Sequence, residues 1–567
     1  MSERQGQLLV ERQRRHAISP DLISLFLETE INFGGEGGLY AECIRNRDFE
    51  TLGRGNLGEG WAETVADIKR KHDAGVRAGR RLDPQEPAAN QTDYRPWRAF
   101  GGARAVIDNS SAPFPNNPHA LLLAGSHGAG VANPGYWGIG VRPGVGYRLS
   151  MWAIARGAPM ARLGVQLVEG SRVLCNATFT LTRWWERHEA FLRPAIPTFA
   201  AAATLEVVLL QQGAVLLDHV SLMPDDAAGG IFRADVFGAL AALRPGFVRF
   251  PGGNYLEGHG PRTHWDWKAT VAAPAHGRKG HYNSAWKYWV SDALGLFELL
   301  LLAELLRTAP QVSVFTGYHL DARGYPEGRS GERLGVRCAQ DALDLIQFAN
   351  GPTSSVWGTR RAALGHPEPF QLRRLEIGNE ERDLSSQGYA AHYRTITQAI
   401  WRKHPEMYVV ACGFWDDKVG MVGNPCLAGQ RCDAWDEHYY RSTSQLLRMA
   451  SLYDSYNRSL PKVYVGEYAA KDTFDHEYGH LQRGLKRRPR LTHASASGFQ
   501  HPPTTRPRTA THHPPAPAQP PTTCSRTATH HPLPHHHSPH SRIIHHAAAS
   551  SLSTRRRVAT HHSLSAV

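Results

Sequence analysis

Two glutamates stand at the ends of short apolar runs, Glu380 in Arg374-Leu-Glu-Ile-Gly-Asn-Glu380 and Glu467 in Val463-Tyr-Val-Gly-Glu-Tyr-Ala469. A carboxylate at the C-terminal end of a barrel strand sits where (β/α)8 proteins keep their chemistry. Two of them facing one pocket meet the requirement of glycosidic bond cleavage. One gives a proton to the leaving oxygen, and the other attacks the anomeric carbon or activates water. A lone glutamate would by default be half of a structural ion pair. Glu381 follows Glu380 directly, but strand alternation would turn it the other way. No zinc-ligand spacing and no phosphate-binding glycine loop accompanies the pair, so neither a metal nor a cofactor is implied.

The elements that must position these groups follow from periodicity. Strand-like segments recur at 24–31, Phe247–Phe250, Val312–Thr316, Arg374–Gly378, Tyr408–Gly413, Asp436–Tyr440 and Val463–Glu467, with amphipathic stretches such as 336–350 and 387–403 between them. Alternation of this kind predicts a parallel sheet and, at this length, a (β/α)8 (TIM) barrel. Glu380 then ends the fourth strand and Glu467 the seventh. Only seven strands can be counted, so the expectation is a barrel incomplete after strand seven. The longest apolar run, Leu294 to Leu306, is interrupted by Glu298 and Glu304. It reads as a buried barrel helix capped by Ser291, not as a membrane span.

Between 85 and 223 the pattern differs: short alternating segments such as Tyr147–Ala153, Leu163–Val168, Thr204–Leu210 and Val215–Met223 predict an inserted β-sandwich. Its Trp152, Trp184 and Trp185 are suited either to stacking on a sugar or to filling the core. The predicted organisation is therefore a first barrel strand and Gly-rich loop at 18–84, a sandwich at 85–223, the (β/α) barrel at 224–484 and a tail at 485–567.

Nine segments, in order, resemble glycoside hydrolase family 51, the α-L-arabinofuranosidases, and especially its plant-type members. They are Phe26–Asn32, Gly37–Glu42, Arg45–Glu50, Phe247–Asn254, Trp289–Gly295, Gly365–Phe370, Ile377–Glu380, Asp436–Tyr440 and Val465–Ala469. The resemblance covers about residues 18 to 475 and implies a retaining enzyme that removes terminal α-L-arabinofuranosyl groups from arabinose-containing polysaccharides. It makes Glu380 the acid/base and Glu467 the nucleophile. Asn379 would bond the sugar hydroxyl beside the anomeric carbon, and Asn254 would line the same pocket. An early pocket carboxylate of the family aligns on Thr29, between Glu28 and Glu30, and Glu28 is the candidate for it. His438 or Tyr440 would orient the nucleophile. The inserted sandwich is similar to a jelly-roll carbohydrate-binding module. An endo-acting glucanase or xylanase of the same clan is the alternative activity. A non-catalytic carbohydrate-binding protein is the alternative from another class.

The net charge of +13 suggests at first a nucleic-acid or anionic-membrane partner. Its distribution argues against both. The last acidic residue is Glu477, and twelve Lys or Arg follow it, so the rest of the chain carries 13 − 12 = +1. The basic tail is rich in His, Pro, Thr and Ser, repeats Arg508–Pro514 as Arg526–Pro532, and is expected to be disordered. The family's eighth strand and C-terminal sandwich have no counterpart in it. The charged N-terminus carries no apolar signal core, although the resemblance suggests secretion. Of the seven cysteines, Cys426 and Cys432 lie close enough to bridge in an oxidising compartment.

Overall fold

The computed structural model describes residues 19–28, 33–51, 94–195, 198–260, 263–272, 277–286, 288–320, 331–381, 388–413, 425–426 and 429–470. The tail expected at 485–567, and Thr29 and Glu30, lie outside the described residues. Seven parallel strands form one sheet in sequence order: Leu25–Phe26, Phe247–Phe250, Ala309–Val314, Arg374–Ile377, Tyr408–Ala411, Ala434–Arg441 and Lys462–Ala470. Helices Leu296–Leu305, Gly331–Asn350 with Val356–Ala363, Tyr389–Lys403 and Thr443–Arg448 alternate with the later strands. This is the (β/α) barrel the pattern predicted, with seven strands among the described residues.

Helical spacing makes the outer layer. Tyr389, Tyr393, Ile396 and Ile400 recur every three or four residues and are all buried, which gives their helix one apolar stripe against the barrel. Helix Leu296–Leu305 is buried almost all round, and its start differs from expectation. Its N-cap is Gly295, whose N–H donates to Glu298 Oε2 at 2.9 Å, while Thr270 Oγ1 accepts from Leu296 N–H at 3.1 Å. Ser291 does not cap it. That hydroxyl donates instead to Glu36 Oε1 at 2.5 Å, four residues short of the helix.

Two antiparallel sheets occupy residues 98–224. One has the order Glu186–Leu192, Tyr147–Arg156, Gly213–Pro224, Ala120–Gly125, Arg104–Asp108; the other runs Arg98–Phe100, Gly130–Asn133, Ala200–Leu209, Met160–Glu169, Arg172–Thr182, with Ile139–Val141 added against Ala200–Leu209. Their inner faces bury Leu121, Leu123, Met151, Leu163, Val165, Leu205 and Val207 in a core separate from that of the barrel. Each such side chain contributes about 1.5–3 kcal/mol on leaving water. Trp97 is the tryptophan of this core; Trp152 and Trp185 are half-buried and Trp184 is exposed.

The sandwich interrupts the barrel between its first and second strands and is tied off at its neck. Tyr40 bridges Phe232, Cys43 N–H donates to Leu222 O at 3.0 Å, and Val220 N–H donates to Arg47 O at 2.9 Å. Cys426 and Cys432 form a disulfide in the segment before the sixth strand.

Candidate active site

The inner wall of the barrel is built by alternation. On the sixth strand Asp436, His438 and Tyr440 share one side, while Glu437 and Tyr439 share the other and bond to each other and to Tyr453. Across from them stand Arg249 on the second strand, Ser313 on the third, Glu376 on the fourth and Glu467 on the seventh. A side-chain period of two cannot by itself place Glu467 here. Asp436 pairs with Tyr464 and His438 with Glu467, so the seventh strand carries one extra residue between the two pairs. That bulge contains Gly466, whose N–H donates to Asp436 Oδ1 at 2.6 Å. A Cβ on Gly466 would overlap the Asp436 carboxylate.

Glu467 therefore lies inside a strand that runs to Ala470, not at its end as expected. Its Oε1 accepts from Arg249 Nη1 at 3.0 Å and its Oε2 from Tyr440 Oη at 2.5 Å. Burial alone would raise its pKa, but His438, Arg249 and Tyr440 outweigh burial and hold the carboxyl below its ordinary value. It is an anion at neutral pH.

Glu380 departs from expectation in the other direction. The fourth strand stops at Ile377, and the chain then turns through Gly378 at φ +83° to Glu380 at φ +42°. A non-glycine residue in the left-handed region is strained, and such strain collects at functional sites. This turn, rather than strand alternation, separates Glu380 from Glu381, which is buried and accepts a hydrogen bond from Thr316. Glu380 Oε1 lies 2.8 Å from His438 Nδ1, and His438 Nε2 lies 2.7 Å from Asp436 Oδ2. Burial would lower the pKa of His438, but Asp436, Glu467 and Glu380 drive it well above the ordinary range, so the ring is an imidazolium. One oxygen of Glu380, a ring nitrogen of His438 and one oxygen of Glu467 lie within 4.8 Å of one another. The spacing would suit a metal ion. The charge state does not, because a doubly protonated ring offers no lone pair.

Asn379 and Glu28 are linked to this trio, Asn379 through Arg249 and Glu28 through the charge of Glu467. Asn379 is fully buried; its Oδ1 accepts from Arg249 Nη2 at 2.8 Å and Gly253 N–H at 3.2 Å, and its Nδ2 donates to Glu257 Oε1 at 3.0 Å. Glu28 Oε1 accepts from Trp286 Nε1 at 3.0 Å and Tyr255 N–H at 3.3 Å. Burial, with the charge of Glu467 adding to it, pushes the Glu28 pKa up to about 8. Its carboxyl lies against Gly253, at φ +63°, in space a Cβ would fill. Asn254 opens the short helix Asn254–Glu257 and is half-buried.

Sequence reasoning missed the groups that hold this wall together. Arg249 is fully buried, donates through Nε and Nη2 to both oxygens of Glu376, and lies over the Phe26 ring at 4.5 Å. Glu376 also accepts from Ser313 Oγ at 2.9 Å. The signal was present: an arginine inside the four-residue strand Phe247–Phe250, every residue of which is buried, can only be neutralised by carboxylates from neighbouring strands.

A parallel barrel that brings a clamped carboxylate and a second carboxyl group together is the arrangement found in barrel glycoside hydrolases. Residues 239–458 match the alpha-L-arabinofuranosidase 1 domain family. Alpha-L-arabinofuranosidase 1 of Arabidopsis thaliana is 31% identical over 469 residues, which is 80% of this chain and 61% of the relative. The extracellular exo-alpha-L-arabinofuranosidase of Streptomyces chartreusis is 32% identical over 480 residues, 80% of this chain and 52% of the relative. A solved arabinose-bound α-L-arabinofuranosidase, MgGH51, superposes with a TM-score of 0.66 at 27% identity, covering 83% of this chain and 70% of the other. The chain is similar throughout this span to glycoside hydrolase family 51, the α-L-arabinofuranosidases, and these matches support its membership. It spans less than two thirds of the length of these two relatives.

Proposed function

We propose that this protein is a retaining, exo-acting α-L-arabinofuranosidase that removes terminal non-reducing arabinofuranosyl groups from arabinose-containing glycans. The observation that carries the reading is the grouping of Glu380 and Glu467 about His438 within 4.8 Å. In the first step ionised Glu467 attacks the anomeric carbon while Glu380 protonates the departing glycosidic oxygen. In the second, Glu380 takes a proton from water, whose oxygen displaces Glu467 from that carbon. The net configuration is retained. One oxygen of each carboxyl group lies within 4.8 Å of the other, which favours direct attack over the wider arrangement by which an inverting enzyme admits a water. Glu28, mostly protonated below about pH 8, is the proposed donor to a sugar hydroxyl.

The test is hydrolysis of an aryl α-L-arabinofuranoside, followed by NMR to give the configuration of the first product. Wild type is expected to release the α-anomer first. Glu467→Gln should abolish turnover, and Glu380→Gln should lower it by about 10²–10⁴-fold. From arabinoxylan the expected product is free arabinose; shortened xylo-oligosaccharides would favour an endo-acting enzyme instead. Initial release of the β-anomer would overturn the covalent mechanism.

A further inference from the structure

We propose that Asp436 is a positioning residue for the acid/base: by holding His438 as an oriented cation, it fixes which oxygen of Glu380 carries the catalytic proton. The proposal rests on the reading of Glu380 given above. His438 is 1% exposed and bonded at both nitrogens, to Asp436 Oδ2 at 2.7 Å and Glu380 Oε1 at 2.8 Å. A ring that donates at Nδ1 occupies Oε1 of Glu380. The acid proton is left with Oε2 as its seat, on the oxygen free to meet a leaving group. Asp436 is itself fixed from behind by Gly466 N–H at 2.6 Å and lies 3.6 Å from Arg249 Nη2.

The charged groups facing His438 come from three strands: Asp436 on its own, Glu380 after the fourth, and Glu467 on the seventh, 3.6 Å from Nδ1. Arg249 of the second strand stands beyond Asp436. The carboxylates of Asp436 and Glu467 keep the buried ring protonated, and Asp436 is the one engaged with neither sugar nor leaving group.

The proton balance is simple. As the bond from the anomeric carbon to the leaving oxygen breaks and that to Glu467 forms, the proton moves from Glu380 Oε2 to the leaving oxygen. His438 keeps both of its protons, and its Nδ1–H then faces the new carboxylate. In the second step water returns a proton to Oε2 as its oxygen bonds to the anomeric carbon and Glu467 departs.

The experiment compares wild type with Asp436→Asn, His438→Gln and the double variant on arabinofuranosides graded from a dinitrophenyl to an alkyl leaving group. Without the Asp436 charge the ring deprotonates in the working range, and Glu380 loses the cation that assigns its proton. Asp436→Asn should lose on the order of 10²-fold in kcat/KM on the alkyl substrate, where acid assistance is needed. On the dinitrophenyl substrate, which leaves unaided, it should lose less than about tenfold. The basic limb of its pH profile on the alkyl substrate should move to lower pH. His438→Gln should show the same leaving-group dependence, and the double variant should be no worse than the poorer single one. Equal losses on all substrates with an unmoved pH limb, or additive losses in the double variant, would overturn the proposal. Should Asp436→Asn fail to unfold cooperatively, the His438→Gln series decides, and a flat series refutes it. A wild type inert on every arabinofuranoside would instead sink the functional reading itself, before any variant is compared.

Discussion

Arg249 meets Glu376, Asn379 and Glu467 with one guanidinium, and its planar fork is what makes three simultaneous contacts possible. Removing one partner of such a buried set typically costs about 3–5 kcal/mol, because the others are left uncompensated. Carboxyl groups whose burial is not fully compensated leave a trace in the pH dependence of stability. Glu28 is raised from 4.5 to about 8, chiefly by burial, and Glu36 and Glu376 are each raised to about 7. A carboxyl group with a raised folded pKa binds its proton more tightly in the native state than in the unfolded one. Stability is then full below about pH 4.5 and falls as pH rises through 7 and 8. The thermal midpoint should decline from pH 5 to pH 8, and Glu28→Gln should flatten that decline. A midpoint rising over this range would contradict the assignment.

At the scale of the element, the bulge at Gly466 turns Glu467 into register with His438, and no side chain fits where Gly466 approaches Asp436. Gly466→Ala should push the two strands apart at that point. A misplacement of about 1 Å at the nucleophile is worth about 10²-fold in rate, so kcat/KM should fall by that order. The thermal midpoint should drop far less in proportion; unchanged kinetics would show the bulge to be incidental. The glycine was visible in Val463-Tyr-Val-Gly-Glu-Tyr-Ala469, and an isolated glycine in a strand is a known sign of a bulge. What could not be read was its partner, because register between strands is set by contacts remote in sequence. The seven strands were legible from their apolar runs, and Glu380, Asn379, His438 and Tyr440 from their motifs. The positive φ of Glu380, the reach of Glu298 back to Gly295 and the diversion of Ser291 to Glu36 all depend on packing that no local pattern encodes.

At the scale of the whole molecule, the first barrel strand must find the second across the inserted sandwich: Leu25 pairs with Val248, 248 − 25 = 223 residues later. Such a separation ordinarily slows folding, since the chain entropy of closing the loop precedes any contact that rewards it. The bonds of Cys43 to Leu222, Arg47 to Val220 and Tyr40 to Phe232 change the problem. Once the sandwich has formed, those bonds gather its two ends, and the barrel segments emerge side by side as though joined by a short tether. The molecule should then assemble in two kinetic stages. In pulsed hydrogen exchange during refolding, amides of Tyr147–Arg156 and Gly213–Pro224 should gain protection before those of Phe247–Phe250 and Ala309–Val314. Simultaneous protection would mean that the neck does not act as a tether. If the order holds, a substitution that loosens the neck would delay maturation of a catalytic wall it never touches, and the defect would show as a slow gain of activity after synthesis rather than as a lower final rate.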